Sequence, residues 1–348
     1  MYRDRNITRE TTLIDALKKM DILDSKLLIV EKERCFIGLI SAGDIQRAIL
    51  KNIALTTAVG NVLREKVQIA KPQDDFAVIR KMMLEYRMEL CPVVDDNGQI
   101  IEIHFWEDIF GSEPIQPKAK FNLPVVIMAG GFGTRLRPLT YVIPKPLVPL
   151  DEETMLEHIF KRFNRYGCEN FYISVNYKAP LINFFIKEKQ FPFNVSCFEE
   201  EKPLGTAGSL TLLQGKIDET FFVSNCDILI EEDYSEILKY HRESKNELTI
   251  IAALKNYSIP YGTIDSGENG QLIELNEKPD ITLKINSGMY ILEPKLLDEI
   301  PQNQFFHITH LIEKIKKRGG KVGVYPVSEK SWKDIGEWDG YLKHLNNE

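Results

Sequence analysis

The sequence predicts an α/β protein in two parts: a larger domain built on a mostly parallel sheet with helices on both faces, preceded by a smaller repeated α/β unit. Three observations carry this. After residue 124, apolar strand-like runs alternate with helix-spaced segments, the pattern of a parallel sheet. Before residue 110, one order of elements occurs twice, about 64 residues apart. Between the two lies GSEPIQPKAKFNLP (111–124), whose three prolines and early glycine favour an extended connector. A length of 348 residues accommodates two domains at about 100–200 residues each.

The N-terminal elements follow in order. Residues 12–20 have helical spacing, 27–30 form an apolar run, a polar turn follows, 36–40 form a second run, and Gly43-Asp44-Ile45 opens another helix. The order then returns as a helix over 76–83, a strand over 91–94, the turn Asp95 to Gly98, a strand over 100–105, and Asp108 where Asp44 stood. Asn97-Gly98 between two apolar runs is a hairpin signal. This unit, and above all GLISAGDI (38–45), resembles the tandem cystathionine-β-synthase (CBS) pair, or Bateman module. The resemblance implies repeats at about 8–50 and 70–110 within residues 1–115. It also implies a nucleotide in the cleft between them, with the Asp44 carboxylate on its ribose and a helix N-terminus near its phosphate. The other reading of Asp44 is a helix-capping residue. Such pairs associate, so a homodimer or higher oligomer built partly through residues 1–110 is expected. Residues 116–123 are read as the linker.

In the second part, 125–129 is a buried strand ending in a glycine turn, 156–166 a helix, 170–175 a strand, 180–187 a helix and 195–199 a strand. A helix follows Gly205, and a strand covers 220–226. The strands 249–254, 262–265, 272–277 and 286–292, with few helices between them, predict a more antiparallel lobe over the site. Ligands are expected outside the carboxyl ends of the parallel strands.

Composition narrows the function. With 44 Lys and Arg against 51 Asp and Glu, the formal net charge of −7 does not suit coating a nucleic acid. The five cysteines are odd in number and widely spaced, with no CxxC, which fits a reducing cytoplasm better than a disulfide framework or a zinc site. MYRDRNITRE has no apolar signal-peptide core, and no apolar run is long enough to span a membrane.

The chemistry starts at MAGGFGTRLRPLT (128–140), followed by Pro144-Lys145-Pro146. Three glycines let backbone N–H groups approach an anion, and Arg135 and Lys145 add positive charge. This is neither a Walker A loop, since no Gly-Lys-[Ser/Thr] ends it, nor a dinucleotide fingerprint, since Leu136 takes the third-glycine place. The full string resembles the sugar-1-phosphate nucleotidyltransferases, which join a nucleoside triphosphate to a sugar 1-phosphate and release pyrophosphate. The resemblance covers the C-terminal two-thirds of the chain and implies a Rossmann-like domain over 124–348. It implies that Ala129, Gly130, Gly131, Gly133, Thr134 and Arg135 hold the triphosphate and that Lys145 stabilises charge at the attacked phosphate.

The same resemblance assigns EKPLGTAG (201–208) to base recognition, with Glu201, Pro203, Gly205, Thr206 and Ala207 lining the base; glycines there would let main chain meet the base. It makes Asp227 of SNCD (224–227) and Asp334 of WKDIG (332–336) the ligands of Mg²⁺, a cation that prefers oxygen ligands and substrate phosphates. It places Gly262, Glu277, Lys278, Asn286 and Gly288 around the sugar and its phosphate. Taken alone, each of these residues is an ordinary cap, turn or surface pair.

A phosphate monoester with a second pKa of about 6 is already largely dianionic near neutral pH, so no general base is needed. His307 and His310, at i and i+3, lack a nearby third ligand and read as helix packing; Cys226 reads as a small site-lining residue. The PLGTAG string (203–208) resembles that of mannose-1-phosphate guanylyltransferases, which implies GTP, although closely similar strings occur among uridylyltransferases, with UTP as the alternative. The layout with a CBS pair resembles bacterial glucosamine-1-phosphate guanylyltransferases that feed legionaminic acid synthesis. The reading from a different class is a non-catalytic nucleotide sensor.

Overall fold

The computed structural model describes residues 2–64, 67–111 and 115–345, and divides into two compact units at Gln116/Pro117. The start of the expected connector, 112–114, lies outside the described residues. Its later part is not a free tether. Phe121 stacks on Tyr166 and Phe222 at 5.5 Å, its N–H donates to the Tyr166 carbonyl at 2.7 Å, and Leu123 is buried. The apolar Phe121 and Leu123 bring this stretch down onto the second unit, against its reading as a linker over 116–123.

In the first unit the order is β1 (Asn6–Ile7), α1 (Leu13–Leu23), β2 (Leu27–Lys32), β3 (Cys35–Ser41) and α2 (Ala42–Leu50). After a longer connection come α3 (Phe76–Tyr86), β4 (Leu90–Val94), β5 (Ile100–Phe105) and α4 (Trp106–Phe110). Helix α1 starts at Thr12, whose hydroxyl accepts the Asp15 N–H, and buries Leu13, Ala16, Leu17 and Met20 on one stripe. β2 pairs antiparallel with β3, and β4 with β5. Ile29 and Leu39 from the first hairpin share a core with Leu90 from the second. Glu89 fastens the two repeats, accepting hydrogen bonds from Arg5 and Ser25 at 2.7 Å and from the Lys26 N–H at 2.9 Å.

The two repeats differ where their second helices start. Ser41 caps α2, and Asp44, at the third helical position, closes a reciprocal capping box. The buried Asp44 carboxylate also accepts from the Arg64 Nε at 2.6 Å and pairs with Arg47. Burial pushes its pKa up, but the bonds from Arg64 and Ser41 outweigh that and hold it below the usual value. The structure thus places Asp44 in its capping role, with the carboxylate engaged from both sides. Asp108 takes the equivalent position in α4, but Phe105 stands at the cap, offers no oxygen, and the helix lasts five residues.

The second unit carries β6 (Val125–Met128), the small hairpin β7 (Pro149–Leu150) and β8 (Glu153–Thr154), α5 (Met155–Asn164), β9 (Asn170–Val175), α6 (Ala179–Lys189) and β10 (Asn194–Glu199). Next come α7 (Gly205–Gly208), β11 (Phe221–Asn225), β12 (Ile228–Ile230), α8 (Tyr234–Glu243), β13 (Leu248–Ser258), β14 (Thr263–Ser266), β15 (Leu272–Asn276) and β16 (Asp280–Leu292). The chain ends with α9 (Ile308–Lys317), β17 (Val322–Ser328), β18 (Trp332–Asp334) and α10 (Trp338–Leu345). Seven strands form one sheet in the order β10-β9-β6-β11-β16-β13-β17, and only β16 runs against its neighbours. Apolar clusters cover the sheet. One joins Val126, Phe221, Val223 and Leu292 to Leu311 and Ile315 of α9; elsewhere Phe160 packs edge-on against Phe171, and Phe163 packs tilted against Tyr234. Burying each such side chain contributes about 1.5–3 kcal/mol.

Two expectations shift. Strands β13 and β16 are longer than expected and pair beyond the sheet, with the exposed β14–β15 hairpin beside them. Residues 280–286 of β16 are largely exposed, whereas 287–292 are buried, so one strand serves both the core and the projecting lobe. The helix after Gly205 is a single turn followed by a 3-10 segment, Ser209–Leu213, because the Thr211 hydroxyl takes the Gly208 carbonyl at 2.7 Å. No helix among the described residues is long and apolar enough to cross a membrane.

One surface network ties the far ends of this unit together. Glu247 accepts from Arg318 at 2.7 Å, pairs with Lys295 at 2.9 Å, and takes the Lys321 N–H at 3.2 Å. The Arg318 bonds hold its carboxyl down at about 2, against burial, with help from Lys295. A carboxyl depressed in the folded state stabilises the fold above its unfolded pKa, and the contribution drains as pH falls through the folded value. Arg318→Ala is therefore expected to lower the melting temperature at pH 7 by more than at pH 2.5. Equal losses at the two pH values in thermal melts would remove Glu247 from the acid response.

Candidate active site

The carboxyl ends of the parallel strands β6, β9, β10 and β11 lie side by side, and each releases the chain into a turn. The turn after β6 carries the glycines. Ala129 is buried, its N–H bound to the Ser174 carbonyl at 3.0 Å. Gly131 and Phe132 at the loop tip are exposed, and Phe132 packs on Tyr177 at 5.3 Å. Gly133 has φ 62°, and a Cβ there would stand 2.9 Å from the Thr140 methyl and 3.2 Å from the Lys145 Cβ. That glycine folds the loop back over the Pro-Lys-Pro segment and brings Arg135 and Lys145 to one place. Thr134 is exposed beside Arg135.

Asp227 leaves the end of β11, and Asp334 sits on β18, paired across β12 with Ile228. The Ile335 N–H donates to the Asp227 carbonyl at 3.0 Å, locking the two carboxylate-bearing segments together. They converge on Gly336. A Cβ on Gly336 would fall 2.2 Å from an Asp227 oxygen, 2.6 Å from the Lys145 Nζ and 2.9 Å from an Asp334 oxygen. Lys145 is hydrogen-bonded to Asp227, and Arg135 stands 3.6 Å from Asp227 and 4.0 Å from Asp334. Burial raises the pKa of Asp334; the Gly336 N–H opposes this, and the Asp227 charge adds to the rise.

Two adjacent carboxylates suit a hard divalent cation. Among the described residues no group of three or more His, Cys, Asp or Glu side chains gathers as a metal site. A cation held by Asp227 and Asp334 would therefore take its other ligands from phosphates and water, the habit of Mg²⁺. Cys226 beside them is buried, and burial pushes its thiol up to about 12, so it stays protonated near neutral pH.

At the end of β10 the sequence selected Glu201, but Glu201 is exposed, as is Pro203. The carboxylate that turns inward is that of Glu200. It accepts from the Ser174 hydroxyl and from the Leu204 N–H at 2.9 Å, and a Cβ on Gly130 would be 2.7 Å from it. The glycines at 205 and 208 make a close approach, but to protein. A Cβ on Gly205 would lie 2.9 Å from the Phe306 carbonyl oxygen, and one on Gly208 would lie 2.6 Å from that of Gln304. Thr206 accepts the Ile308 N–H at 3.0 Å, and Ala207 is fully buried. The 204–208 turn is thus braced by 304–308. His307 caps α9, and the His310 ring accepts the His307 N–H at 3.2 Å, so this pair organises a helix start.

On the sugar side, Gly288 has φ 86°, and a Cβ there would be 2.5 Å from the Asn225 amide nitrogen. Asn286 accepts the Gly288 N–H at 3.2 Å and donates to the Tyr290 hydroxyl at 2.8 Å. These two residues therefore adjoin the turn that carries Asp227. Gly262 and Glu277 face each other across the lobe, a Gly262 Cβ standing 3.0 Å from a Glu277 oxygen. Glu277 and Lys278 are exposed and not part of the cluster around Gly336.

The nucleotidyl transferase family model matches residues 124–348, well over half of the chain. The chain belongs to the nucleotidyl transferase family. A CBS domain model matches residues 6–51. This nucleotidyl transferase is 36% identical over 185 residues to the mannose-1-phosphate guanylyltransferase catalytic subunit beta of Dictyostelium discoideum, covering 51% of this chain and 52% of that protein. It is 32% identical over 232 residues to mannose-1-phosphate guanylyltransferase 1 of Arabidopsis thaliana, covering 64% of each. The chain thus spans about half to two-thirds of the length of the curated relatives it matches. Among solved structures it is similar to HddC from Yersinia pseudotuberculosis complexed with GMP-PN, at 27% identity and a TM-score of 0.51, over 65% of this chain and 99% of that one.

Sequence reasoning missed three residues of this nucleotidyl transferase site: Glu200, Gly336 and Glu337, which is hydrogen-bonded to Arg135. Only the first had a readable signal. Glu200 directly follows β10 and lies two residues from the buried Phe198, so the strand's alternation carried one step further points it inward.

Proposed function

We propose that this chain is a sugar-1-phosphate guanylyltransferase, converting GTP and a sugar 1-phosphate to a GDP-sugar and pyrophosphate. The observation that carries the reading is the convergence of Lys145, Asp227 and Asp334 on Gly336, with Arg135 of the glycine loop against both aspartates. The sugar phosphate arrives as a dianion, and one of its oxygens attacks the α-phosphorus. A new P–O bond forms there, the bond to the β-phosphate breaks, and its electron pair leaves with pyrophosphate. The loop amides and Arg135 hold the phosphates, and Lys145 lies where charge builds at the attacked centre. Mg²⁺ held by Asp227 and Asp334 would neutralise phosphate charge and align the two polyanions. Asn286 and Gly288, beside Asn225, and Glu277 with Lys278 on the lobe are assigned to the sugar phosphate.

Guanine is the base this reading assigns. The guanylyltransferases among the relatives support the same base. The proposal extends to a cytoplasmic setting, to association through residues 1–110, and to a regulatory nucleotide in the CBS cleft.

The test is pyrophosphate release with four NTPs against mannose, glucose and glucosamine 1-phosphates. GTP is expected to lead in kcat/KM, since each buried group left unpaired by another base costs about 1–3 kcal/mol. Higher kcat/KM with UTP or CTP overturns the base. No release with any pair favours the non-catalytic sensor.

A further inference from the structure

Glu337 has no place in the reaction just described, yet it makes the direct hydrogen bond to Arg135. The Arg135 guanidinium is bracketed by three carboxylates: Glu337, Asp227 at 3.6 Å and Asp334 at 4.0 Å. Its proposed ligand is itself a polyanion. Neighbouring contacts set Glu337 in this position. The Trp338 indole N–H donates to the Arg137 carbonyl at 2.8 Å, and the Tyr341 hydroxyl donates to the Pro149 carbonyl at 3.0 Å. Helix α10 is fastened to the chain on both sides of the Pro-Lys-Pro segment, and Glu337, the residue just before it, is thereby held at the loop.

The pair is built for exchange. Arg135 and Glu337 are 52% and 56% exposed, so neither is fully desolvated and water weakens their mutual attraction. The inner pair is the opposite case, with Lys145 and Asp227 only 11% and 7% exposed. Three carboxylates stand against the two cations Arg135 and Lys145, so the site carries excess negative charge before any phosphate enters.

We infer that Glu337 is a resident competitor for Arg135: in the free protein its carboxylate occupies the place of a nucleotide phosphate, and the arriving triphosphate displaces it. The inference rests on the phosphate-binding reading of the site. Because every phosphate that binds must first win Arg135 from it, Glu337 weakens nucleotide and pyrophosphate alike and speeds product departure. Glu337 is a positioning residue, acting on substrate through Arg135.

The test is calorimetric titration of the full chain with GTP, and separately with inorganic pyrophosphate, each in the presence of Mg²⁺. Glu337→Gln keeps the shape and removes the charge. It is expected to tighten both ligands by about three- to tenfold at low ionic strength. The gain should shrink to under about twofold near 0.5 M salt, where exposed charges are screened. In an Arg135→Ala background the same change should be under about twofold at any salt, because the group competed for is gone. Glu337→Ser, which lacks an amide, should reproduce the tightening. A role confined to the start of α10 would move the melting temperature and leave the salt dependence unchanged. Unchanged or weaker binding in both Glu337 variants, with a wild type that binds, overturns the inference alone. A wild type that binds neither GTP nor pyrophosphate overturns the phosphate-site reading, and the inference with it.

Discussion

Replacing Asp227 by asparagine is expected to cut kcat by roughly two to three orders of magnitude, about 3–4 kcal/mol of transition-state stabilisation. The amide keeps the size and can still accept a hydrogen bond, but it withdraws a negative charge from the point where Asp334, Lys145 and Gly336 meet. Asp334→Asn is expected to act in the same direction. Its side chain is 29% exposed against 7% for Asp227, so its replacement disturbs the fold less. The two variants thus separate catalysis from folding. Asp227→Asn leaves the largely buried Lys145 without its partner, and a lower melting temperature is expected there. Asp334→Asn should lose turnover with a near-normal melt. Raising Mg²⁺ should partly restore either variant if cation binding is what was lost. Near-normal kcat in both variants would sink the two-carboxylate site.

The parts of this site differ in how far local sequence could expose them. The glycine loop was legible because it follows a short apolar run and precedes clustered cations, all within about twenty residues. Strand ends were legible for the same reason, and with them the side of the sheet that binds ligands. Asp227 and Asp334 were different. Roughly a hundred residues separate them, and only the β12–β18 pairing brings them together, so resemblance pointed to them where spacing could not. The two glycines at 205 and 208 show the limit of local argument. Their freedom was read as letting main chain meet a base, whereas the chain that approaches them, 304–306, lies about a hundred residues downstream. Three consecutive acids, Glu199 to Glu201, hid the inward one, although the strand's two-residue period starting from Phe198 selects Glu200. At Asp44 the Ser-x-x-Asp pattern contained the capping box, while Arg64, twenty residues on, could not be foreseen as its partner.

Lys145→Ala is the sharper mechanistic test, because its expected effect is divided unequally between kcat and binding. The Lys145 side chain is largely buried, fixed by Asp227, and set under the loop by the missing Cβ of Gly133. A cation held this way pays little reorganisation as charge shifts toward the leaving pyrophosphate. Turnover is expected to fall by roughly 10²–10³-fold, about 3–4 kcal/mol, while GTP affinity changes by less than about tenfold. Arg135→Ala should differ, since that guanidinium is half exposed at the loop and meets the phosphates in the ground state. Its KM for GTP should rise along with the loss in kcat. Lys145→Arg should not rescue. The Nζ already lies 2.6 Å from where a Gly336 Cβ would be, which leaves no room for a planar guanidinium beside both aspartates. Single-turnover rates against equilibrium titration of GTP separate the two variants. Wild-type kcat in Lys145→Ala, or a loss confined to its GTP affinity, would remove Lys145 from the chemical step.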